Sequence, residues 1–265
     1  MTEKAKDPAH YWEDRLTKQY DLGSVGFQSL GLEFNNAMYR VRERVFRRAL
    51  RWSGLDLPSS KILDVGSGTG FYVDLWQKSG VSRVVATDVT QVAVDRLRDR
   101  FPRADVYRVD IGGELDLPDR GPYDAVSAFD VLFHIVDDDR YARAINNIAS
   151  VVRPGGLFFV SDNFLHGEPI RTEIQASRSL KDIERVVFEA GFEIVRRAPV
   201  FVLMNAPVDT KNAWLKRRWK RLAKRLNREP RRGARAGRLL YPVEIALTRL
   251  FREGPSTEIM ICRKR

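Results

Sequence analysis

The strongest constraint on this chain is an alternation that begins at Lys61. Short apolar runs are followed by segments of helical periodicity: KILDV and then 69–79, RVVATD and then 90–100, ADVYRV, YDAVSAF and then 137–152, and GLFFVSD and then 179–190. Strands buried on both faces read as continuous apolar runs, and parallel neighbours need a crossover long enough to hold a helix. The alternation therefore predicts an α/β fold, a doubly wound parallel sheet with right-handed crossovers and helices on both faces. After Gly191, FEIVRRAPVFVLM is expected to add a strand. Helices are expected near 210–227 and 234–252 with a break at Glu229-Pro230, and STEIMICRK should end the chain as a strand.

Upstream of Pro58 the pattern is purely helical, over 8–20 and roughly 31–53, where Met38, Val41, Val45, Ala49 and Trp52 recur at helical intervals among arginines. With 265 residues, the chain suits one core domain carrying additions. The expected parts are a helical cap over 1–58, a core over 59–203, a helical insert over 204–255 and a final core strand over 256–265.

The most specific segment is KILDVGSGTGFY, Lys61 to Tyr72, a strand running into a loop with glycines at 66, 68 and 70 and then a helix. Such a loop lets backbone approach a ligand closely, and the helix N-terminus that follows favours polar or anionic groups. The dinucleotide fingerprint needs its third glycine three residues after the second; here Gly70 comes two after Gly68 and Phe71 fills the position that should be small. That spacing disfavours an NAD-linked reductase. Asp88 ends the second strand, placed to accept from both hydroxyls of a ribose, and Asp110 ends the third, where it can meet an adenine amino group. Taken singly, either aspartate fits a helix N-cap equally well.

In this order the residues resemble the class I S-adenosylmethionine-dependent methyltransferases over about 60–163: DVGSGTG as the glycine motif, Asp88 and Asp110 as the ribose and adenine acids, FDVLFHI after the fourth strand, and the turn Arg153 to Gly156 before the fifth. The resemblance implies a Rossmann-like seven-stranded sheet whose last strand is antiparallel. It implies S-adenosyl-L-methionine as cofactor, leaving as S-adenosyl-L-homocysteine. The cofactor site would comprise Asp64, Gly66, Ser67, Gly68, Gly70, Asp88, Val89, Asp110, Ile111, Phe129 and Asp130. A non-catalytic adenosyl-binding protein stays open.

Methyl transfer from a sulfonium releases a neutral thioether, so alignment matters most, and a general base is needed chiefly when the acceptor is a hydroxyl. In a doubly wound sheet the loops after strands one and four flank the switch point, which makes His134 the first candidate base. His134 also precedes Asp137 to Asp139 at a helix start, where capping or packing would explain it. His166 is the second catalytic candidate, and Asp162 and Asn163 are candidates on the substrate side. The segment PGGLFFVSDNFLHG is similar to that of catechol-type O-methyltransferases, so Asp130, Asp162 and Asn163 form an alternative magnesium site, with the metal-free reading preferred. Tyr11 and Trp12, beside His10, are expected to cover the substrate as a lid or to staple the first helix to the body. The expected reaction is O-methylation of a small molecule, sugar or lipid-linked acceptor. N-methylation and an RNA-associated activity are the alternatives, although the Asn/Asp-Pro-Pro-Tyr signature of amino-methylating nucleic-acid enzymes is absent after strand four.

The formal net charge of +11 comes from 46 basic and 35 acidic residues, and it is concentrated. Lys211 to Arg238 hold 13 Lys/Arg and one acid, Glu229, leaving 33 basic against 34 acidic elsewhere. Leu215, Trp219, Leu222 and Leu226 fall on one side of a helix whose other faces are cationic. Three uses compete: docking on the body or on a second subunit of a homodimer, peripheral contact with a membrane through 211–238, and nucleic-acid binding, the last least favoured. At 43% hydrophobic and 31% charged residues, disorder is excluded. Met1 to His10 is charged, without an apolar leader, no run is long enough to span a bilayer, and Cys262 is alone. A cytoplasmic protein is expected, with a peripheral position at the inner face of the membrane as the alternative.

Overall fold

The computed structural model describes residues 8–226 and 230–265. The charged segment 1–7 and the Glu229 half of the expected break lie outside the described residues. The sheet strands are β1 (Lys61–Val65), β2 (Arg83–Asp88), β3 (Asp105–Arg108), β4 (Tyr123–Phe129) and β5 (Val152–Asp162). A short ribbon of β6 (Ile170–Arg171) and β7 (Ala176–Ser177) follows, then β8 (Phe192–Pro199) and β9 (Glu258–Lys264). The helices are α1 (Pro8–Lys18), α2 (Leu22–Val25), α3 (Gly31–Ser53), α4 (Phe71–Lys78), α5 (Gln91–Arg100), α6 (Asp138–Val151), α7 (Leu180–Glu189), α8 (Ala213–Leu226) and α9 (Pro230–Leu250).

The seven-stranded sheet has the order β3-β2-β1-β4-β5-β9-β8. All neighbours are parallel except β9, which inserts antiparallel between β5 and β8. This is the α/β, doubly wound, Rossmann-like sheet that the sequence predicts. The order reverses between β1 and β4, and such a reversal opens a crevice beyond the carboxyl ends of the strands. Two apolar layers sandwich the sheet. One joins Trp76, Phe159 and Ile261 to α3, and the other joins Val126, Phe158 and Met260 to α6 and α7.

A buried polar chain fixes the start of the crevice. Trp76 Nε1 donates to Ser127 Oγ at 2.9 Å, Ser127 donates to Asp64 Oδ1 at 2.5 Å, and Ser67 donates to Asp64 Oδ2 at 2.8 Å. Asp64 thus ties β1, β4 and the glycine loop together. Burial pushes its carboxyl up to about 6, against the two hydroxyl donors that favour the charge.

The two additions to the core pack on each other. Gly237 of α9 comes so close to α3 that a Cβ there would lie 2.5 Å from the Cβ of Ala37, which accounts for glycine at that contact. On α9, buried Glu244 accepts from the backbone N–H groups of Val202, Leu203 and Met204 at 2.7, 2.9 and 3.2 Å, bolting the segment after β8 to the helix. The apolar side of α8 rests on the body, with Leu226 buried and Trp219 and Leu222 half-buried. Trp219, Leu222, Ala223 and Leu226 of that stripe therefore pack against the core. Among the described residues, no helix is long and apolar enough to cross a membrane.

Candidate functional site

A cavity of about 540 Å³ opens over the carboxyl ends of β1, β2 and β4. Its lining includes Gly66, Ser67, Gly68, Asp88, Val89, Asp110, Ile111, Phe129 and Asp130, so most of the expected cofactor residues meet here. Asp64 and Gly70 do not line it. Asp64 lies beneath the loop, and Gly70 is the N-cap of α4 at φ +80°, where a Cβ would meet the Phe101 ring at 2.3 Å. Both shape the loop from outside the cavity lining.

Asp88 does two jobs at once. Its Oδ2 accepts from Gly68 N at 2.9 Å, and its Oδ1 accepts from Thr90 N at 3.0 Å and from the Thr90 hydroxyl at 2.8 Å. Burial raises its pKa against these donors. The Gly68 bond leaves Oδ2 a second lone pair, the feature a ribose hydroxyl needs. Asp110 accepts from Gly112 N at 3.0 Å and pairs with Arg140 at 2.5 Å at the opposite end. Val89 and Ile111 offer apolar faces between these acids, and Tyr39, Phe71, Tyr72 and Phe129 add aromatic ones, Tyr72 stacking on Phe129 at 4.1 Å. Two acids flanking an apolar slot, a backbone loop and aromatic faces for a cationic sulfonium fit S-adenosylmethionine.

The fourth-strand side is built from distant segments. His134 Nδ1 lies 3.0 Å from the Ile174 carbonyl, so Nδ1 carries the proton and donates, which leaves Nε2 as the lone-pair nitrogen. Ile174 lies in the connection between β6 and β7. Burial lowers the His134 pKa to about 4, only partly opposed by the Ile174 contact, so the imidazole is neutral at physiological pH. Trp12 packs edge-on against it at 4.8 Å. Helix α1, which carries Trp12, is anchored by Glu13, whose carboxylate accepts from Gln91 N at 2.7 Å and Val92 N at 3.0 Å. A carboxylate at the N-terminus of α5 satisfies donors that its N-cap Thr90 leaves open and complements the helix dipole.

Asp130 adopts φ +58°, unusual for a non-glycine residue but tolerated by aspartate. It is held there by an ion pair with Arg42, by Ser161 Oγ donating to Oδ1 at 3.0 Å, and by its own N–H donating to Ser161 Oγ at 2.9 Å. Arg42 is buried between Tyr39 and Phe201. Burial works against its charge, and Asp130 holds the pKa above the ordinary value all the same. Sequence reading missed Arg42, although a signal existed: it falls four residues after Met38, inside the apolar stripe of α3 rather than among its solvent-facing arginines. Tyr20, whose hydroxyl donates to Gly68 O at 2.8 Å, had no such signal.

The remaining expected residues lie elsewhere. Tyr11 does not line the cavity and accepts from Arg15 at 2.8 Å. Asp162 is buried at the end of β5, its Oδ1 accepting from Asn163 N, and burial pushes its carboxyl up to about 8. Asn163 is engaged with Ser177 and Thr257. His166 pairs at the surface with Asp209 at 2.6 Å and Glu253 at 3.4 Å, and Asp209 raises its pKa. The alternative metal ligands therefore point their oxygens at different partners: Asp130 at Arg42 and Ser161, and Asn163 at Thr257. Among the described residues no group of three or more His, Cys, Asp or Glu side chains is placed to hold a metal ion.

Residues 62–156 match the family described as a methyltransferase domain. The chain is 32% identical over 178 residues to a Mycolicibacterium smegmatis (strain ATCC 700084 / mc(2)155) protein named "Probable S-adenosylmethionine-dependent methyltransferase", a match covering 64% of this chain and 65% of that protein. The chain thus spans just under two thirds of the length of this curated relative. It is 34% identical over 108 residues to the ubiquinone biosynthesis O-methyltransferase of Xanthomonas campestris pv. campestris (strain B100), covering 40% of this chain and 44% of the relative. Among solved structures, magnesium protoporphyrin IX methyltransferase from Synechocystis PCC 6803 with bound SAM shares the fold over 100% of both chains, with TM-score 0.59 and 14% identity.

Proposed function

We propose, for a chain whose residues 62–156 form a methyltransferase domain of the class I S-adenosylmethionine-dependent fold, that it methylates a hydroxyl of a small molecule, sugar or lipid-linked acceptor. The observation that carries this reading is the meeting, in one cavity, of the acids and glycine loop suited to the cofactor with a neutral, oriented imidazole. The partial match to an O-methyltransferase supports the same acceptor chemistry.

When bound, S-adenosylmethionine supplies an electrophilic methyl on a positive sulfur whose departure as a neutral thioether needs no acid. Asp88 would orient the ribose, and Asp110, held by Arg140, would meet the adenine edge. Trp12 and the anchored α1 cover the cavity and exclude water that would compete with the acceptor. His134 Nε2 takes the proton of the acceptor hydroxyl, with Ile174 holding the ring by Nδ1. A base with pKa of about 4 is weak, yet it suffices, because the hydroxyl proton becomes strongly acidic as the oxygen commits its electron pair to carbon.

The test is thermal unfolding with S-adenosylhomocysteine and, separately, NAD(H). At 100 times its dissociation constant a native-state ligand adds about 2.7 kcal/mol, raising the midpoint of a chain this size by roughly 5 to 10 °C. The adenosyl ligand alone should give that shift. A shift with NAD(H) alone would overturn the reading together with the roles given to Asp88 and His134.

A further inference from the structure

The outer face of α9 carries an apolar stripe that the fold leaves uncovered. Leu239, Pro242, Val243, Ala246 and Leu250 are all exposed, Leu239 at 73% and Leu250 at 76%. At 100° per residue they fall within an arc of roughly 100°. The opposite side of the helix, with Gly237, Glu244 and Thr248, is the one buried on α3 and on residues 202–204. A rigidly bolted helix thus shows leucines to the outside, which core packing does not explain.

The surroundings specify what covers it. Arg238 and Arg249 border the stripe, Arg235 continues its arc one turn before Leu239, all three are exposed, and every Lys and Arg of α8 is exposed on the neighbouring helix. Among the described residues of α8 and α9, the only acid is Glu244, which is buried. We propose that this face docks on an anionic lipid bilayer, the apolar stripe entering the interface while the arginines and lysines meet lipid phosphates. The surface differs from the one the sequence suggests, since the stripe of α8 is spent on the body. Nucleic-acid phosphates would reward the cations but leave the leucines in water. A symmetric pairing of two copies would bring the same arginines together on both sides. The surface is independent of the acceptor, and it lies one helix away from the cavity, because α3 carries both the α9 contact and Tyr39 of the lining.

The experiment is co-sedimentation of the full chain with phosphatidylcholine vesicles and with equimolar phosphatidylcholine–phosphatidylglycerol vesicles, near physiological ionic strength. Partitioning onto the anionic vesicles should be at least about tenfold stronger. Leu239→Asn with Leu250→Asn keeps every cation, changes only exposed positions, and should weaken that partitioning by about tenfold. Arg235→Glu with Arg238→Glu should weaken it to a similar degree as an independent arm. Equal recovery with both vesicle types would overturn the proposal. So would binding that ignores the leucine pair, the mark of a purely electrostatic nucleic-acid surface, or a dimer that the leucine pair dissolves without any vesicle binding.

Discussion

The two walls of the cavity are built on opposite plans. The wall under β1 and β2 comes from one stretch of chain, in which a glycine loop and a strand-ending aspartate some twenty residues later are joined by a backbone-to-carboxylate hydrogen bond, Gly68 N to Asp88 Oδ2 at 2.9 Å. The wall under β4 gathers Trp12 from α1, His134 from the loop after β4, and the Ile174 carbonyl from a ribbon forty residues on, with Arg42 of α3 holding Asp130 behind them. The first needs only local geometry. The second exists only once distant elements have packed, and it is the wall to which the proposed function assigns the acceptor.

His134→Ala should separate the walls most sharply. Turnover is expected to fall by roughly 10² to 10⁴ while affinity for S-adenosylhomocysteine stays within about threefold, read by single-turnover kinetics and calorimetry. Because burial holds the imidazole at about 4, the wild-type rate should not decline as pH falls through 6.5; the acid limb should come near pH 4 to 5 or be masked by unfolding. An acid limb at 6.5 would show His134 in water-like surroundings and break the distinction.

Asp88→Ala attacks the other wall. Charge-assisted hydrogen bonds from ribose hydroxyls are each worth about 1.5–3 kcal/mol, so S-adenosylhomocysteine should bind roughly 100-fold more weakly by calorimetry. If the affinity is unchanged, Asp88 is only a cap for Thr90 and the loop. A third variant, Arg42→Met, tests whether the assembled wall depends on the cap. It leaves Asp130 unpaired, at a cost of about 3 kcal/mol in urea unfolding, the low end for a buried pair because Asp130 retains some exposure.

A last test concerns Asp162, whose carboxyl is pushed up to about 8 from 3.8 by burial. The folded state keeps a proton that the unfolded chain loses above about pH 4, so this group lowers stability progressively from pH 4 to 8. Asp162→Asn keeps the acceptor for Asn163 N and should flatten the fall of stability with pH across that window, measured by urea unfolding at several pH values. An unaltered slope would place the pH dependence elsewhere.

How much of this was legible follows the same division. The sheet, its antiparallel last strand and the convergence of nine of the eleven expected cofactor residues on one cavity could be read because each rests on neighbours in sequence or on a strand end fixed by the alternation. The two that moved, Asp64 and Gly70, keep their importance but act from beneath the loop. His166, Asp162 and Asn163 read as a site because they cluster in sequence after β5. The fold turns them toward Asp209, the buried strand end and Thr257 instead.

Sequence alone determined the α/β architecture, since hydrophobic period and turn chemistry are local properties that permit few topologies. It also determined the glycine loop with its acids, since a backbone cradle needs particular residues at fixed spacing. Only the tertiary structure decided that Arg42 is buried, that His134 is neutral with Nε2 as its lone-pair nitrogen, and that α9 rather than α8 shows leucines to the outside. Burial, protonation and the choice of covered face depend on what packs against a residue, and that is settled by contacts between segments far apart in the chain.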